Sequence, residues 1–278
     1  MWLLLACTSE SPDSSSDAAP VPECNAKTSL QLVAEYRDYD LPQTYDHDHT
    51  MQGVALGDVD GDGWLDALMA YGGGSVLFRN DGAGNLLMDP SSLMDGAPLP
   101  SAQAAALADL DGDGDLDAYL GRDKGDAGRI LYNDGSGQWK SEALPDSGQS
   151  ASTGAFADFD GDGDLDLYVA ATVTNTDATQ VIAGTVTRGD GDRLFIRGAD
   201  GHYSNETAQR IPSDSDWGWT FQGSPLDYDQ DGDLDLYLAH DMGAYILPNR
   251  LLNNDGTGHF RRVSDCDCEL VKIGRAHV

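Results

Sequence analysis

Basic residues are scarce in this chain of 278 amino acids: 16 lysines and arginines stand against 48 aspartates and glutamates, giving a formal net charge of −32. Nucleic acids and anionic membrane surfaces attract positive charge, so the composition argues against both as partners. A hydrophobic share of 40% and regularly placed acids argue against disorder over most of the chain. The acidic balance instead predicts that bound cations neutralise part of the charge.

Long hydrophobic runs are also missing, because no stretch of about 18 apolar residues follows the first few positions. The apolar start, Met1 to Cys7, ends in Leu-Leu-Ala-Cys and resembles the lipobox of bacterial lipoproteins. That resemblance implies that Cys7 becomes the first mature residue and carries a lipid. The segment lacks a basic n-region and is shorter than the roughly 7–15 residues of an h-region. A true start further upstream and a chance apolar start are therefore the alternatives.

The N-terminal segment sets the expected compartment. Residues 1–7 are interpreted as a lipoprotein-signal-like leader and residues 8–28 as a flexible Ser/Pro/Asp tether. The chain is then an outer-membrane lipoprotein of a bacterium or a secreted protein, with membrane contact only through the lipid. With Cys7 lipidated, Cys24 pairs with Cys266 or Cys268 in an oxidising compartment and one thiol is left over. No second matching cysteine pair exists, so a zinc site is not expected.

The most informative feature is an internal repeat. The motif Asp-x-Asp-x-Asp-Gly-x-x-Asp occurs four times, beginning at Asp58, Asp109, Asp158 and Asp227, in steps of 51, 49 and 69 residues. Each copy follows a short strand pattern of small residues and runs at once into a strand that is apolar on both faces. A third strand then leads into a turn, which is Asn-Asp-Gly in three copies, and a fourth strand follows. The third copy is looser and holds a polar insertion at about 172–192, predicted to be a long loop.

Four strands in about 50 residues, repeated along the chain, predict an all-β protein, a β-propeller of four-stranded blades over residues 29–264. At least four blades are present. A calcium-binding parallel β-roll is the structural rival, but its repeats are far shorter. Residues 265–278 form an uncertain tail, and 272–278 look like a translated sequencing adapter. We therefore expect truncation from seven or eight blades, with a complete four-bladed ring as the alternative.

The repeated loops are predicted to bind calcium, about one ion in each loop and four in all. Alternating aspartates supply the hard oxygen ligands that calcium prefers, and glycine at position 6 permits a sharp bend. The carboxylates at positions 1, 3, 5 and 9 and the backbone carbonyl at position 7 are the expected ligands. They are Asp58, Asp60, Asp62, Trp64 and Asp66; Asp109, Asp111, Asp113, Asp115 and Asp117; Asp158, Asp160, Asp162, Asp164 and Asp166; and Asp227, Asp229, Asp231, Asp233 and Asp235.

Other metal sites fit these loops less well. An EF-hand needs a bidentate glutamate at position 12 and flanking helices, whereas these loops close at position 9 and run into strands. Magnesium demands stricter octahedral geometry, and transition metals favour His or Cys ligands. The loops hold 19 aspartates, so four calcium ions would reduce the charge from −32 to −24.

The loops and the Leu-Asp-Leu-Tyr strands resemble FG-GAP/VCBS repeats, found in integrin α-subunit propellers and many secreted bacterial proteins. The fourth unit, with Gly218-Trp219, Gly223, the loop from Asp227 and Asn254-Asp255-Gly256-Thr257-Gly258-His259-Phe260, is similar to the cartilage acidic protein/UnbV group. The resemblance covers about residues 52–263. It implies a calcium-stabilised propeller used mostly for adhesion or protein binding, with the family's calcium ligands at the aspartates named above.

The expected function is a non-enzymatic binding or adhesion module for a protein or glycan. A propeller-fold carbohydrate-active enzyme, either a hydrolase or a lyase, and a purely structural surface protein are the alternatives. The best catalytic candidate is Tyr45-Asp46-His47-Asp48-His49, which is more simply a polar loop leading into the first blade. No catalytic residue is therefore assigned. The sequence does not name the ligand.

Overall fold

The computed structural model describes residues 53–122, 125–172, 178–187, 189–213, 218–241, 243 and 246–263. Several predictions lie outside these residues: the leader with Cys7, the tether, the cluster at 45–49, the pairing of Cys24, Cys266 and Cys268, and the tail. These remain predictions. In the described part of the chain, no helix is long and apolar enough to cross a membrane.

Four sheets follow one another along the chain, and each is built around one aspartate loop. In every sheet the strand before the loop pairs with the strand after it, and a third and a fourth strand follow antiparallel in chain order. We call the sheets blades 1 to 4 and the loops 58–66, 109–117, 158–166 and 227–235 loops 1 to 4. The prediction of at least four blades in an all-β fold is confirmed.

The strands are numbered in chain order. Blade 1 contains β1 (Val54–Gly57), β2 (Asp66–Met69), β3 (Val76–Asn80) and β4 (Leu86–Met88). Blade 2 contains β5 (Leu93–Met94), β6 (Ala97–Pro98), β7 (Ala104–Ala108), β8 (Asp117–Gly121), β9 (Arg129–Asn133) and β10 (Trp139–Ala143). Blade 3 contains β11 (Ser150–Ala157), β12 (Asp166–Thr172), β13 (Arg193–Arg197) and β14 (Tyr203–Asn205). Blade 4 contains β15 (Trp219–Leu226), β16 (Asp235–Asp241), β17 (Arg250–Asn254) and β18 (Phe260–Arg262).

Two short helices interrupt this pattern. Helix α1 (Ala178–Ile182) lies in the polar insertion between β12 and β13, and helix α2 (Thr207–Arg210) follows β14. The insertion is therefore not loop throughout. Its last residue, Asp192, is fully buried and accepts hydrogen bonds from the Tyr168 hydroxyl (2.6 Å) and the Thr220 hydroxyl (2.8 Å). Because Thr220 belongs to blade 4, this carboxylate ties the insertion to two blades.

Blade 2 has six strands rather than the expected four. The extra hairpin β5–β6 joins the outer edge of the sheet, where Met94 pairs in parallel with Trp139. A two-residue turn connects its strands, with φ of 52° at Asp95 and 77° at Gly96. Asp-Gly is a preferred sequence for such a turn, so the sequence does contain a hairpin signal here, although the two strands are very short.

The cores lie between consecutive blades. Three buried clusters join blades 1 and 2, blades 2 and 3, and blades 3 and 4. The inner strands touch in sequence: β1 contacts β7, β7 contacts β11, and β11 contacts β15. In the last cluster Phe159 and Phe260 meet edge to face with centroids 5.6 Å apart. Because the strands are apolar on both faces, each sheet needs a neighbouring sheet to cover its faces, and the adjacent blades provide this.

Tyrosines explain the small residues of the inner strands. The ring of Tyr119 lies over Gly154 of the next blade, where a Cβ atom would come within 2.4 Å of it. The ring of Tyr168 lies over Gly223 in the same way, again at 2.4 Å. Both tyrosines are fully buried. Each large residue on one blade is therefore accommodated by a glycine on the next.

Candidate metal centres

Each aspartate loop makes its turns with residues in the left-handed backbone region. In loop 3, Gly161 at position 4 has φ 75° and Gly163 at position 6 has φ 95°. Loop 4 has the same turn but places Gln230 at position 4, with φ 63°. Residues with a Cβ atom are strained in this region, whereas glycine is not. Position 6 is glycine in all four loops and position 4 is glycine in loops 1 to 3, so Gln230 is the exception.

The carboxylate at position 1 faces the inside of its loop. In loop 2 the Asp109 oxygens accept hydrogen bonds from the backbone N–H of Gly112 (2.8 Å) and Gly114 (3.1 Å). The Asp113 carboxylate at position 5 accepts one from the backbone of Asp115 at 3.0 Å. Position 1 contacts the glycine at position 6 in all four loops. The loop backbone thus orients these carboxylates.

The aspartate at position 9 is fully buried in every blade and joins the loop to the sheet. One Asp117 oxygen accepts the backbone N–H of Leu110 at 2.9 Å, and the other accepts that of Asn133, the last residue of β9, at 2.8 Å. Asp66, Asp166 and Asp235 make the same two bonds, to loop position 2 and to the end of the third strand. Four equivalent carboxylates therefore clamp the loop against the blade.

Burial makes the position 9 carboxylates costly to ionise. It raises the pKa of Asp117 to about 6 and the pKa of Asp166 to about 7, with neighbouring loop carboxylates adding to the rise and the two backbone donors opposing it. Burial also raises the pKa of Asp66 and of Asp235. A nearby cation would offset this cost.

Carboxylate oxygens converge in each loop. One oxygen from each of three aspartates lies within 4.8 Å of the others, a spacing compatible with a single shared cation. The clusters are Asp58, Asp60 and Asp62; Asp109, Asp111 and Asp117; Asp158, Asp160 and Asp166; and Asp227, Asp229 and Asp235. Several aspartate clusters are thus placed to hold a metal ion.

The remaining expected ligands lie close by without joining these clusters. Loop 1 uses position 5 where the other loops use position 9, so Asp66, Asp113, Asp162 and Asp231 stand outside. At position 7 the side chains face the turn after the third strand: Trp64 lies over Gly82, Asp115 over Gly135 and Asp233 over Gly256. In loop 3, Asp164 instead faces Arg197 at 3.4 Å. The use of the position 7 carbonyls stays a prediction.

Two further arginines outside the motif reach the aspartates at position 3 of the loops. Arg79 Nη1 lies 2.6 Å from Asp60 of loop 1, an ion pair, and Arg210 Nη2 lies 3.5 Å from Asp160 of loop 3. Arg79 belongs to β3 and Arg210 to helix α2. No shared spacing connects them in the sequence, which is why the repeat pattern did not reveal them.

Asparagines at the ends of the third strands link neighbouring blades. Asn133 donates to the Val59 carbonyl of loop 1 at 2.8 Å, and Asn254 donates to the Phe159 carbonyl of loop 3 at 2.7 Å. Each is the first residue of an Asn-Asp-Gly turn. The sequence pattern identified these asparagines as turn residues but gave no sign of their second role between blades.

The fold and the loops together define a class of protein: a β-propeller-type repeat whose blades each surround an oxygen-lined loop. Residues 58–120 and 109–169 match the FG-GAP-like repeat family. The chain therefore carries FG-GAP-like repeats, as the sequence resemblance predicted. The narrower likeness to the cartilage acidic protein/UnbV group stays a prediction.

The solved structures that are similar to this chain at low identity include the following three. A lectin from Agrocybe aegerita that recognises non-reducing terminal N-acetylglucosamine has a TM-score of 0.45 and 17% identity, covering 79% of this chain and 53% of its own. The V. cholerae biofilm matrix protein Bap1 has a TM-score of 0.39 and 20% identity, covering 77% and 30%. A protein from Lactobacillus plantarum has a TM-score of 0.43 and 12% identity, covering 77% and 52%. The chain thus spans between 30% and 53% of these structures. No curated protein matches it in sequence.

Proposed function

We propose that this chain is a calcium-stabilised β-propeller module that works outside the cytoplasm and binds a protein or glycan without catalysing a reaction. The observation that carries the proposal is the cluster of aspartate oxygens at the same place in each of four blades. One such cluster is a common surface feature. Four clusters, one in each blade and each with a fully buried carboxylate in it or beside it, indicate a requirement of the fold.

The donor set fits a hard divalent cation. All the converging atoms are carboxylate oxygens, the ligands that calcium prefers, and the clusters contain no His or Cys. In loop 3, Asp160 Oδ1 is buried and has no hydrogen-bond partner within the described chain. An unpartnered buried oxygen is costly unless a cation or water meets it.

The aspartates at positions 1 and 3 would hold the ion, with position 9 in loops 2 to 4 and position 5 in loop 1. When bound, calcium supplies positive charge that cancels carboxylate repulsion. The chain's own residues then transmit that gain to the blade: the position 9 carboxylate holds the loop at position 2 and the third strand at its last residue. Metal binding is in this way coupled to folding of the blade.

A binding role follows from how the remaining groups are used. Loops carried on rigid sheets are the usual place for recognition residues. Most aspartates of the described loops are engaged in the clusters and clamps above, which argues for a scaffold rather than a catalyst. The abundance of calcium outside cells suits low-affinity structural sites, and this supports an extracytoplasmic location.

Thermal unfolding tests the metal part of the proposal. We expect the melting temperature of the full chain to fall in excess chelator and to return with calcium, because ligands that bind only the folded state stabilise it. Magnesium at the same concentration is the matched control and should restore less. Equilibrium dialysis should give four calcium ions per chain, one for each cluster. Unchanged melting in chelator would contradict structural calcium.

A separate experiment tests the binding part. The calcium-loaded chain is screened on a glycan array and by pull-down from extracellular fractions, with the chelated chain as control. We expect a specific partner that depends on calcium. Turnover of a polysaccharide in a hydrolysis or lyase panel would replace the binding module with the enzyme alternative.

A further inference from the structure

The four loops differ in whether a guanidinium already occupies the carboxylate cluster. In loops 1 and 3 the position 3 aspartate is paired with an arginine and is half-buried: Asp60 with Arg79 and Asp160 with Arg210. In loops 2 and 4 the corresponding aspartates, Asp111 and Asp229, are exposed. Loops with and without a paired arginine therefore alternate along the four blades.

Within the described chain, loops 2 and 4 have no cation in this place. The residue of β9 that is equivalent to Arg79 is Tyr132, and the equivalent in β17 is Asn253. The Asn253 amide donates to Asp229 at 2.9 Å, a neutral contact. Asp111 forms no ion pair with any described residue. Loop 2 therefore keeps the charge of five aspartates, whereas loop 1 has four aspartates against one arginine.

Both arginines also reach the next blade at the same point. Arg79 donates to the Ser136 carbonyl of blade 2, and Arg210 donates to the Thr257 carbonyl of blade 4. Ser136 and Thr257 both follow the glycine of an Asn-Asp-Gly turn. A strand residue and a helix residue thus make the same pair of contacts, which is hard to attribute to coincidence of surface charge.

We infer that Arg79 and Arg210 divide the metal loops into two classes. Loops 2 and 4 are the tight calcium sites, and loops 1 and 3 are weak sites in which an arginine supplies part of the positive charge and fastens the loop to the next blade. The inference rests on the proposed calcium binding. Its physical basis is that ligand charge sets the affinity of such loops and that a resident cation repels an incoming one.

Calcium titration of the full chain by calorimetry tests this inference. We expect two tight and two weak sites in the wild type, with dissociation constants about tenfold or more apart. Arg79→Met and Arg210→Met should each convert one weak site into a tighter one. Both variants should also melt earlier in chelator, because the contact to the next blade is lost. A purely structural arginine would lower the melting temperature without tightening any site.

Three controls keep the test decisive. Arg129→Met removes an arginine that donates to Ser141 rather than to a loop, and should leave the isotherm unchanged. Tyr132→Arg places a guanidinium beside loop 2 and should weaken one tight site, which covers the case in which Arg79→Met does not fold. Trp64 is 51% exposed in loop 1, so the part of the tryptophan-sensitised terbium emission that is lost in a Trp64→Phe variant reports that loop separately.

The outcomes separate the two proposals. Four equal sites that do not change in either arginine variant would overturn the two classes and leave calcium binding intact. A wild-type chain that binds no calcium would overturn the proposed function itself. A Tyr132→Arg variant that binds calcium as tightly as the wild type would also contradict the inference.

Discussion

Loop 2 and loop 3 differ at one residue in nine, Leu110 against Phe159, but their surroundings differ in charge. Loop 2 is bordered by Asn133 and has an exposed Asp111. Loop 3 is bordered by Arg197 and has Asp160 covered by Arg210. The motif therefore sets the backbone and the clamp at position 9, and residues outside the motif set the electrostatic environment. Two loops with nearly the same sequence need not have the same affinity.

The largest expected effect tests what the two loops share. Asp117→Asn and Asp166→Asn should each lower the free energy of unfolding in calcium by about 3 kcal/mol or more, because each removes a metal ligand and one of two buried acceptors. Urea unfolding in calcium measures this. In chelator the loss should shrink, since an amide also removes a buried charge.

The matched control for this substitution is Asp113→Asn. Its carboxylate at position 5 is exposed, and within the described part of the chain it accepts a hydrogen bond from the backbone of Asp115 in its own loop. We expect it to cost much less. A position 9 substitution tolerated in one loop but not in the other would break the equivalence of the clamps.

The next prediction tests where the loops diverge. The Asn133 side chain makes four hydrogen bonds, to the Val59 and Leu116 carbonyls and from the Gly135 and Gly137 amides. Asn133→Ala should cost about 2 kcal/mol, because buried partners lose their contacts. Arg197→Met removes a partly exposed ion pair and should cost about 1 kcal/mol or less. Chemical denaturation measures the free energy of unfolding of both variants. Equal losses would contradict the prediction that Asn133 contributes more to stability than Arg197.

The sequence predicted the features that the loops share, but it did not reveal the surrounding residues in which the loops differ. The loops, the strand after each loop and the aspartate at position 9 follow from a local pattern that repeats, whereas the burial of that aspartate does not. Arg79 and Arg210 lie 131 positions apart in different kinds of element, and only the packing of the blades gives them the same role. The small residues of the inner strands are visible in the sequence, but the ring that packs on Gly154, that of Tyr119, belongs to the preceding blade.

A smaller effect distinguishes the two loops by pH in the absence of metal. The pKa is about 6 for Asp117 and about 7 for Asp166 in the folded chain, against 3.8 for the ordinary carboxyl group. Between these values the folded state holds more protons, so the free energy of unfolding should fall as the pH rises from about 4 to 7. After allowance for solvent screening, each group contributes about 1–2 kcal/mol.

The pH dependence also has its own controls. Asp166→Asn should remove slope from about pH 4 to 7 and Asp117→Asn only from about pH 4 to 6, so the two variants should differ most between pH 6 and 7. Calcium competes with the proton, so its affinity should weaken as the pH falls through the same range. Identical curves for the two variants would show that their surroundings do not distinguish the loops.

The smallest effect extends the comparison to loop 4 and asks whether the turn itself is the same in every loop. Gln230 has φ 63° at position 4, where loops 2 and 3 have Gly112 at 78° and Gly161 at 75°. A left-handed residue with a Cβ atom costs about 1 kcal/mol more than glycine there, so Gln230→Gly should stabilise the chain by that amount, less the added chain entropy of the unfolded state. The opposite substitution in loop 3, Gly161→Gln, should destabilise the chain by a similar amount. Steric obstruction does not dominate the result, because the nearest atom to a Cβ at Gly161 is 3.4 Å away. Urea unfolding of the two variants measures both signs. If Gln230→Gly were destabilising, the glutamine side chain would have a contact specific to loop 4, and the four loops would differ in their backbone requirements as well as in their charge.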